Sequence, residues 1–554
     1  MKKLISNLLF FEKKKLFVIF LFFTFFVAIV ESLSLLLVSS YFVSEGFIYN
    51  QIQKFNISKD EILILILFSF IFKFFLLNFF SWSKNWFINQ FTLRNSYSLF
   101  KIYLNQKLIF YTSNRSSDFI RDIWYSVKNL TTAYDLLLKF LSEFLVFIIL
   151  IFILLMFNLK LTLIILITSI IVSSFFIFFF KKKLETLGEK KNIEVSNSLN
   201  YFQEAFNFIR EVKVFSLDNF YLKKIDLNHQ ALHKINTKVA FISEFPKNSF
   251  ELFIVVTLFF LFYFSNILQI QSFKIDNSYF IFLVISSYRL IPGFLRIIGF
   301  FNSISNFKFD IQSLVKILKK NESGFSKKKI NFSKSIEFKN ISFKYKKQNK
   351  VLFNNLNLFI KKNKKYFLKG ESGLGKSTLV DIISGLSEPK SGRITVDNKI
   401  TSLNALDWFK KISYMSQNNT LFSGSVLENI VLQDFPKNID LNRLDYALKT
   451  SNSLNFVNRL YKKLNYFVGE KGKRLSSGQV QRIILARCLY KKSDILILDE
   501  FLSSLDEKNS NKILKLISKI RNKTIFIILH KYKKLKFIDY EIDFNQKSIK
   551  IKKV

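Results

Sequence analysis

The sequence predicts a membrane α-helical domain of six transmembrane helices extended into the cytoplasm, followed by an α/β P-loop NTPase domain. Three observations carry this reading. Apolar runs of about 20 residues recur through the first half of the chain and thin out afterwards. From Ser335 the pattern changes to alternating strands and helices. Gly370-Glu-Ser-Gly-Leu-Gly-Lys-Ser-Thr378 then matches the phosphate-binding pattern GxxxxGKS/T. Composition agrees, since 554 residues that are 50% apolar and 17% aromatic, with mean hydropathy +0.21, are too oily for an ordinary soluble protein. One cysteine, Cys488, excludes an internal disulfide framework, and three histidines leave little from which to build a zinc site. The net charge of +43 comes from lysines spread over the whole chain beside abundant Phe, Ile and Asn. AT-rich codon usage raises all four together, so the charge points to no nucleic-acid partner, and attraction to an anionic membrane surface is secondary.

Six stretches are long and apolar enough to cross a bilayer: about 16–42, 62–80, 136–157, 161–180, 252–270 and 279–301. The first is too long for a signal peptide and lacks a small-residue cleavage site, so it is expected to remain as a membrane helix. Lys plus Arg number 5 in residues 1–15, 2 in 43–61, 7 in 81–135, 1 in 158–160, 12 in 181–249 and 1 in 271–278. By the positive-inside tendency, both chain ends and the two long connections are cytoplasmic. Those connections have the amphipathic, charge-dotted pattern of helices that continue out of the bilayer. Residues 302–320 read as a continuation of the sixth helix and Asn321–Lys334 as a polar linker. The domains are thus 1–320, the linker, and 335–554.

In the second half, Tyr366-Phe-Leu-Lys369 is a short strand leading into the phosphate loop. Gly370, Gly373 and Gly375 let backbone N–H groups approach phosphates, with Ser372 and Thr378 in the same loop and helix start. Lys376 is placed to reach the β and γ phosphates of ATP, and the Ser377 hydroxyl to ligate Mg²⁺. A second strand, Asp494-Ile-Leu-Ile-Leu-Asp-Glu500, sets Asp499 near the Mg²⁺ shell and Glu500 where a base would polarise attacking water. Cys488 falls on the apolar face of a helix, as a buried inert thiol.

Between the two strands lies Leu475-Ser-Ser-Gly-Gln-Val-Gln-Arg482, and with it the chain resembles the ATP-binding cassette (ABC) transporters. The stretch matches the family signature LSGGQ except at Ser477, where glycine is usual. The resemblance implies that Ser476, Gly478 and Gln479 of one subunit close over ATP held by the other, in a homodimer. It implies that Tyr345 stacks on adenine, that Gln417 links Mg²⁺ and nucleotide to the membrane domain, and that His530 is the switch histidine. Ser503-Ser-Leu-Asp506 resembles the loop between the two ATP sites, usually SALD. Phe501 and Leu502 replace small residues common after the catalytic glutamate.

Cargo is the question the family leaves open, and charges within the spans bear on it. Lys73 lies in the second span, and Arg289 and Arg296 in the sixth; each costs about 2.5–3.5 kcal/mol at a helix centre, so they are expected to face a cavity or pair with acids. Arg289 and Arg296 are seven residues apart and share a helix face, with Pro292-Gly293 between them as a potential kink. Glu31 and Glu143 are the candidate acid partners, with Lys139 an i,i+4 neighbour of Glu143. The segment Tyr288–Ile298 resembles the sixth helix of PglK-type flippases of lipid-linked oligosaccharides in the bacterial cytoplasmic membrane. That resemblance implies that Arg289, Arg296 and, less closely, Lys73 serve a lipid pyrophosphate. It also implies an external helix within Ser44–Asp60 that engages a polyprenyl tail. Exporters of lipid A-like lipids, drugs or peptides, and a non-hydrolysing membrane scaffold, are the alternatives.

Overall fold

A computed structural model describes residues 14–42, 58–157, 159–263, 277–319, 325–326, 328–345, 351–432, 435, 438–529, 535–545 and 548–554. The chain divides into two compact units, Met1–Leu104 with Ser113–Glu322, and Asn105–Thr112 with Ser323–Val554.

Among the described residues, the first half has only helices as regular elements. It comprises α1 (Lys14–Phe42), α2 (Lys59–Leu104), α3 (Leu108–Ser113), α4 (Ser116–Ile120), a π-helical turn (Arg121–Ser126), α5 (Val127–Phe157), α6 (Leu159–Asn207), α7 (Ile209–Val214), α8 (Asp218–Phe262), α9 (Asn277–Asn306) and α10 (Lys308–Lys319). Among the described residues, four stretches are long and apolar enough to span a membrane: Val18–Val38, Asp60–Leu104, Ser116–Met156 and Leu159–Asn207. The expected fifth span lies at the end of α8, with 264–270 outside the described residues, and the expected sixth is α9. At 46 and 49 residues, α2 and α6 far exceed the ~20 that a bilayer needs, so the polar parts of the long connections are helical extensions.

Apolar stripes hold these helices together. Ala28 and Leu35 of α1 meet Val146, Leu150 and Leu154 of α5 and Leu161 of α6, while Phe176, Phe180 and Leu184 of α6 pack on Ile242 of α8. Phe68, Phe72, Phe74 and Phe75 on α2 and Phe175, Phe178 and Phe179 on α6 stay exposed, as side chains facing lipid would. The helix α9 runs on through Pro292, so no break occurs at the expected kink. The break comes at Phe307, and residues 302–319 are therefore two helices rather than one continuation. Hydrogen bonds from Phe307 N to Ser303 O (2.9 Å) and from Ile311 N to Phe307 O (3.0 Å) carry the ladder across it.

The second unit is α/β. An antiparallel sheet runs in the order β2 (Phe353–Lys361), β1 (Ser335–Phe343), β4 (Ser391–Val396), β5 (Lys399–Ile400). A six-stranded sheet runs β10 (Ser548–Lys553), β9 (Tyr540–Asn545), β3 (Lys365–Gly370), β8 (Thr524–Ile528), β7 (Ile495–Asp499), β6 (Ile412–Met415). It is parallel except for β10. Every residue of β7 and β8 is buried, as expected of parallel strands covered on both faces. Their side chains alternate between two cores: Ile495, Ile497, Phe526 and Ile528 feed one, and Leu496, Leu498, Ile525 and Ile527 the other.

This unit takes in part of the polar segment ahead of β1. Ile330 and Phe332 are already in its core. Asp397 accepts hydrogen bonds from Ser333 N (2.6 Å) and Oγ (2.7 Å), Lys334 N (2.7 Å) and Ser335 N (2.9 Å). Burial alone would raise the Asp397 carboxyl, but these donors hold it at about 2.

Candidate functional site

The site lies where β3 and β7 end, at the carboxyl edge of the parallel sheet, where ligands of open α/β sheets bind. From β3 the chain enters Gly370–Gly375 and then helix α11 (Lys376–Ile383), whose N-cap is Gly375 at φ +97°. A Cβ on Gly370 would come 2.7 Å from Phe544 O, and one on Gly375 3.0 Å from Leu352 and the Phe353 ring, so both positions require glycine. Gly373, at φ +84°, would meet no atom within 4 Å. The loop is a backbone cradle, tight behind and open at Gly373, and this fits a phosphate chain.

Side chains converge on it from the ends of β1, β3, β6 and β7. Lys376 Nζ donates to Gly370 O and Glu371 O, each at 2.7 Å. Its amine is pulled below the usual lysine range by burial, an effect opposed by the charges of Asp499 and Glu500. Ser377 Oγ donates to Asp499 Oδ2 at 3.4 Å, and Gln417 Nε2, just past β6, donates to Glu500 Oε2 at 2.9 Å. The Ser377 hydroxyl and the buried Asp499 carboxylate, with the Gln417 amide held on the neighbouring Glu500, are oxygen donors of the kind Mg²⁺ prefers. The Tyr345 hydroxyl lies 2.8 Å from Thr378 Oγ1, and its ring, edge-on to Phe343, is 39% exposed. Glu500 sits at φ +49°, a strained backbone for a residue with a side chain, held by its N–H to Ile528 O at 3.0 Å.

The signature stretch opens helix α12 (Ser477–Tyr490). Ser476 caps it: its Oγ accepts from Gln479 N, and Gln479 Oε1 accepts from Ser476 N, a capping box. Ser477 is the first helical residue and is not among the positive-φ residues, so serine here carries no glycine-only backbone. A Cβ on Gly478 would lie 3.0 Å from Ser504 O, so glycine is needed there for close packing. Cys488 is buried on α12, and burial pushes its thiol up to about 11, as suits an inert core residue.

Several residues with no role assigned from the sequence join the site. Gln481 donates to Glu500 O and Ser503 Oγ, each at 3.1 Å, and accepts from Ser504 N at 3.0 Å, tying the signature helix to the loop after Glu500. Its only signal was its place two residues past Gln479. Asp381 on α11 is pushed up to about 6, first by burial and then by Asp499. Phe501 and Leu502 are core residues. Segment Asn105–Thr112 belongs to this unit, and its Lys107 pairs with Glu388 at 2.7 Å. Together with Tyr345 and Asp381 it lines a cleft of about 670 Å³. His530 lies outside the described residues, as do 44–57 of the expected external helix.

In the membrane unit, Lys73 pairs with Glu31 at 3.4 Å, and Arg296 pairs with Glu143. Lys139 pairs with its other helical neighbour, Asp135 (2.7 Å), and Arg296 reaches Glu143 from α9. The Arg289 side chain lies outside the described residues.

Residues 17–291 match the ABC transporter transmembrane region, and residues 353–503 match the ABC transporter ATP-binding family. The two matched stretches are the two domains of an ABC transporter. The ATP-binding domain follows the transmembrane region along the chain. The fold is similar to that of a bacterial Atm1-family ABC exporter with ATP bound, at TM-score 0.81 and 18% identity, covering 96% of this chain and 93% of that one. Among curated relatives, the chloroplastic ABC transporter B family member 29 of Arabidopsis thaliana is 38% identical over 198 residues, 35% of this chain and 31% of that protein. The alpha-hemolysin translocation ATP-binding protein HlyB of Escherichia coli O157:H7 is 36% identical over 203 residues, 36% of this chain and 28% of that protein. The chain thus spans about a third of the length of the curated relatives it matches.

Proposed function

We propose that this ABC exporter is a homodimeric, ATP-driven flippase of the bacterial cytoplasmic membrane that moves a lipid-linked, pyrophosphate-bearing oligosaccharide. In this reading Gly370–Thr378 cradle the phosphates of ATP, Tyr345 packs on the base, and Ser377, Gln417 and Asp499 hold Mg²⁺. Mg²⁺, when bound, offsets phosphate charge. Glu500 orients attacking water and takes its proton, with Gln417 and Gln481 fixing its carboxylate and its loop. His530 stands as the switch histidine, and Ser476, Gly478 and Gln479 complete the partner's site. Support for the dimer comes from the tip around α7, where Phe206, Phe208, Val214, Phe215 and Phe220 are exposed. An apolar patch on a cytoplasmic tip fits a docking surface for a second copy.

For the cargo, the observation that carries the reading is Arg296. Its side chain is 46% exposed while its partner Glu143 is 4% exposed, so one carboxylate anchors the guanidinium and leaves donors to spare. Arg289 lies two helical turns away on the same face, and Lys73 is the third cation. The test is flipping of a polyprenyl-pyrophosphate-linked sugar in proteoliposomes. Arg289→Ala and Arg296→Ala should each abolish flipping while basal ATPase survives. A double variant that flips normally would refute the headgroup role, and loss of folding in both would assign the arginines to the ion pairs and leave another amphiphile as cargo.

A further inference from the structure

Where α6 leaves its apolar stretch, the sequence reads Phe178-Phe-Phe-Lys-Lys-Lys183. Helix geometry sorts these residues by face. Phe175, Phe178 and Phe179 are 62%, 86% and 65% exposed, and Lys182 follows them at i+7, i+4 and i+3, so all four share one stripe. Lys183 lies one turn beyond Phe179. Both lysines are exposed, and Lys181 beside them is half-buried. The apolar part of the stripe widens onto α8, which packs against α6. The Phe175 ring stacks on Phe179 at 5.8 Å, Phe179 meets Phe180 at 5.2 Å, and Phe180 meets Phe245 of α8 at 6.0 Å. A continuous aromatic surface on two packed helices thus ends in three lysines.

Cations near other span ends are already paired. Lys84 lies 3.1 Å from Asp135 and Lys139 2.7 Å from the same acid, while Lys308 takes Glu185, the first acid after the triplet along α6, at 2.6 Å. Among the described residues, Lys181, Lys182 and Lys183 pair with no acid. Glu244, next to Phe245 on α8, is exposed and pairs with none of them. Three cations against one such carboxylate leave the patch positive. A lysine that ends a lipid-facing stripe keeps its methylenes on apolar surface and carries its ammonium into the headgroup layer. From Phe175 to Lys182 is roughly 10 Å along the helix, so an acyl chain lying on the phenylalanines has its phosphate at the lysines. An anionic headgroup adds net attraction there, whereas a zwitterionic one brings its own cation. A second copy of this face would set lysines against lysines.

We propose that the surface formed by Phe178, Phe179, Phe245 and Lys181–Lys183 is a docking site for an anionic glycerophospholipid of the surrounding bilayer. Chain carbons rest on the rings and the phosphate meets the lysines. None of these residues belongs to the ATP site or to the cargo reading. Full-length protein in mixed micelles is to be offered phosphatidylglycerol and phosphatidylcholine with matched chains, and the retained lipid counted by native mass spectrometry. The wild-type protein should prefer phosphatidylglycerol, and added salt should erode the preference. The triple variant Lys181→Gln, Lys182→Gln, Lys183→Gln should cut it roughly ten-fold or more, since each lysine near an anionic surface contributes about five-fold. The same three positions changed to Arg should keep it, because the charge is retained. Lys512→Gln, Lys515→Gln, Lys519→Gln, on exposed lysines of the second unit, should keep it as well. Should the α6 triple not fold, Lys182→Gln alone should lower the preference several-fold. Equal retention of the two lipids by the wild-type protein, or an undiminished preference in the α6 glutamine variants, would overturn the site. Equal loss in the second-unit triple would ascribe the preference to total charge, and displacement of the lipid by inorganic phosphate would assign the lysines to a soluble anion, either result also overturning it.

Discussion

Glu500 combines a strained backbone with a carboxylate already held by Gln417 at 2.9 Å. Strain of this kind persists only where the surroundings over-determine it, and here Ile528 O and Gln481 grip the same loop. Replacing Glu500 by Gln keeps side-chain length and removes the base, while Lys376, Ser377 and Asp499 are untouched. The expected outcome is ATP retention with hydrolysis slowed about a hundred-fold or more, since a general base contributes that much. Phosphate release and nucleotide retention are the measurements, and wild-type turnover in the variant would remove Glu500 from the role. The phosphate loop, Asp499 and Glu500 were legible because a motif states residue type and spacing. Gln481 was not, because an amide two residues past a signature gains meaning only when a loop from after β7 folds over it. The pairing of Lys73 with Glu31 and of Arg296 with Glu143 was open for the same reason, as each joins helices distant in sequence.

At the scale of elements, the long helices follow from apolar composition, but their approach distances are set by small residues. Gly188 on α6 lets the backbone of Asn306 come so close that a Cβ would sit 2.0 Å from its carbonyl oxygen. Gly188→Ala must therefore push α6 and α9 apart, at a cost of about 1–3 kcal/mol for overpacking. Gly299 is the internal control, because a Cβ there meets nothing within 4 Å. Thermal unfolding in nanodiscs should show Gly188→Ala destabilised and Gly299→Ala unchanged or slightly raised, given the better helix propensity of alanine. Equal behaviour of the two would discount the close contact. The signature helix presents the opposite case. The sequence raised a concern at Ser477, and helix geometry removes it, because the first turn of a helix asks for ordinary right-handed angles.

At the scale of the whole molecule, each chain holds one phosphate cradle and one signature helix. If the signature of one copy completes the site of the other, a heterodimer of wild-type and Ser476→Arg chains has no pair of intact sites. Co-expressed in equal amounts, with coupled sites, they should hydrolyse ATP at about a quarter of the wild-type rate, as only wild-type pairs of a two-fold dimer stay whole. ATPase of the purified mixture checks this. A rate that falls in simple proportion to the wild-type fraction would mean that the sites work independently.

Sequence by itself determined the class of this protein: apolar runs require a membrane or a large core, and GKS, the signature and Leu498-Asp499-Glu500 name the phosphate chemistry in contiguous residues. It also set helix against strand, since periodicity is a local property. Tertiary structure decided what depends on contacts between distant segments. It ended the sixth helix at Asn306 rather than extending it, and placed Ile330 and Phe332 in the second unit's core. It gave Glu143 to Arg296, while the helical neighbour Lys139 pairs with Asp135. The physical reason is that a side chain's partner is chosen by distance in space, and only close packing of the helices brings those atoms within reach.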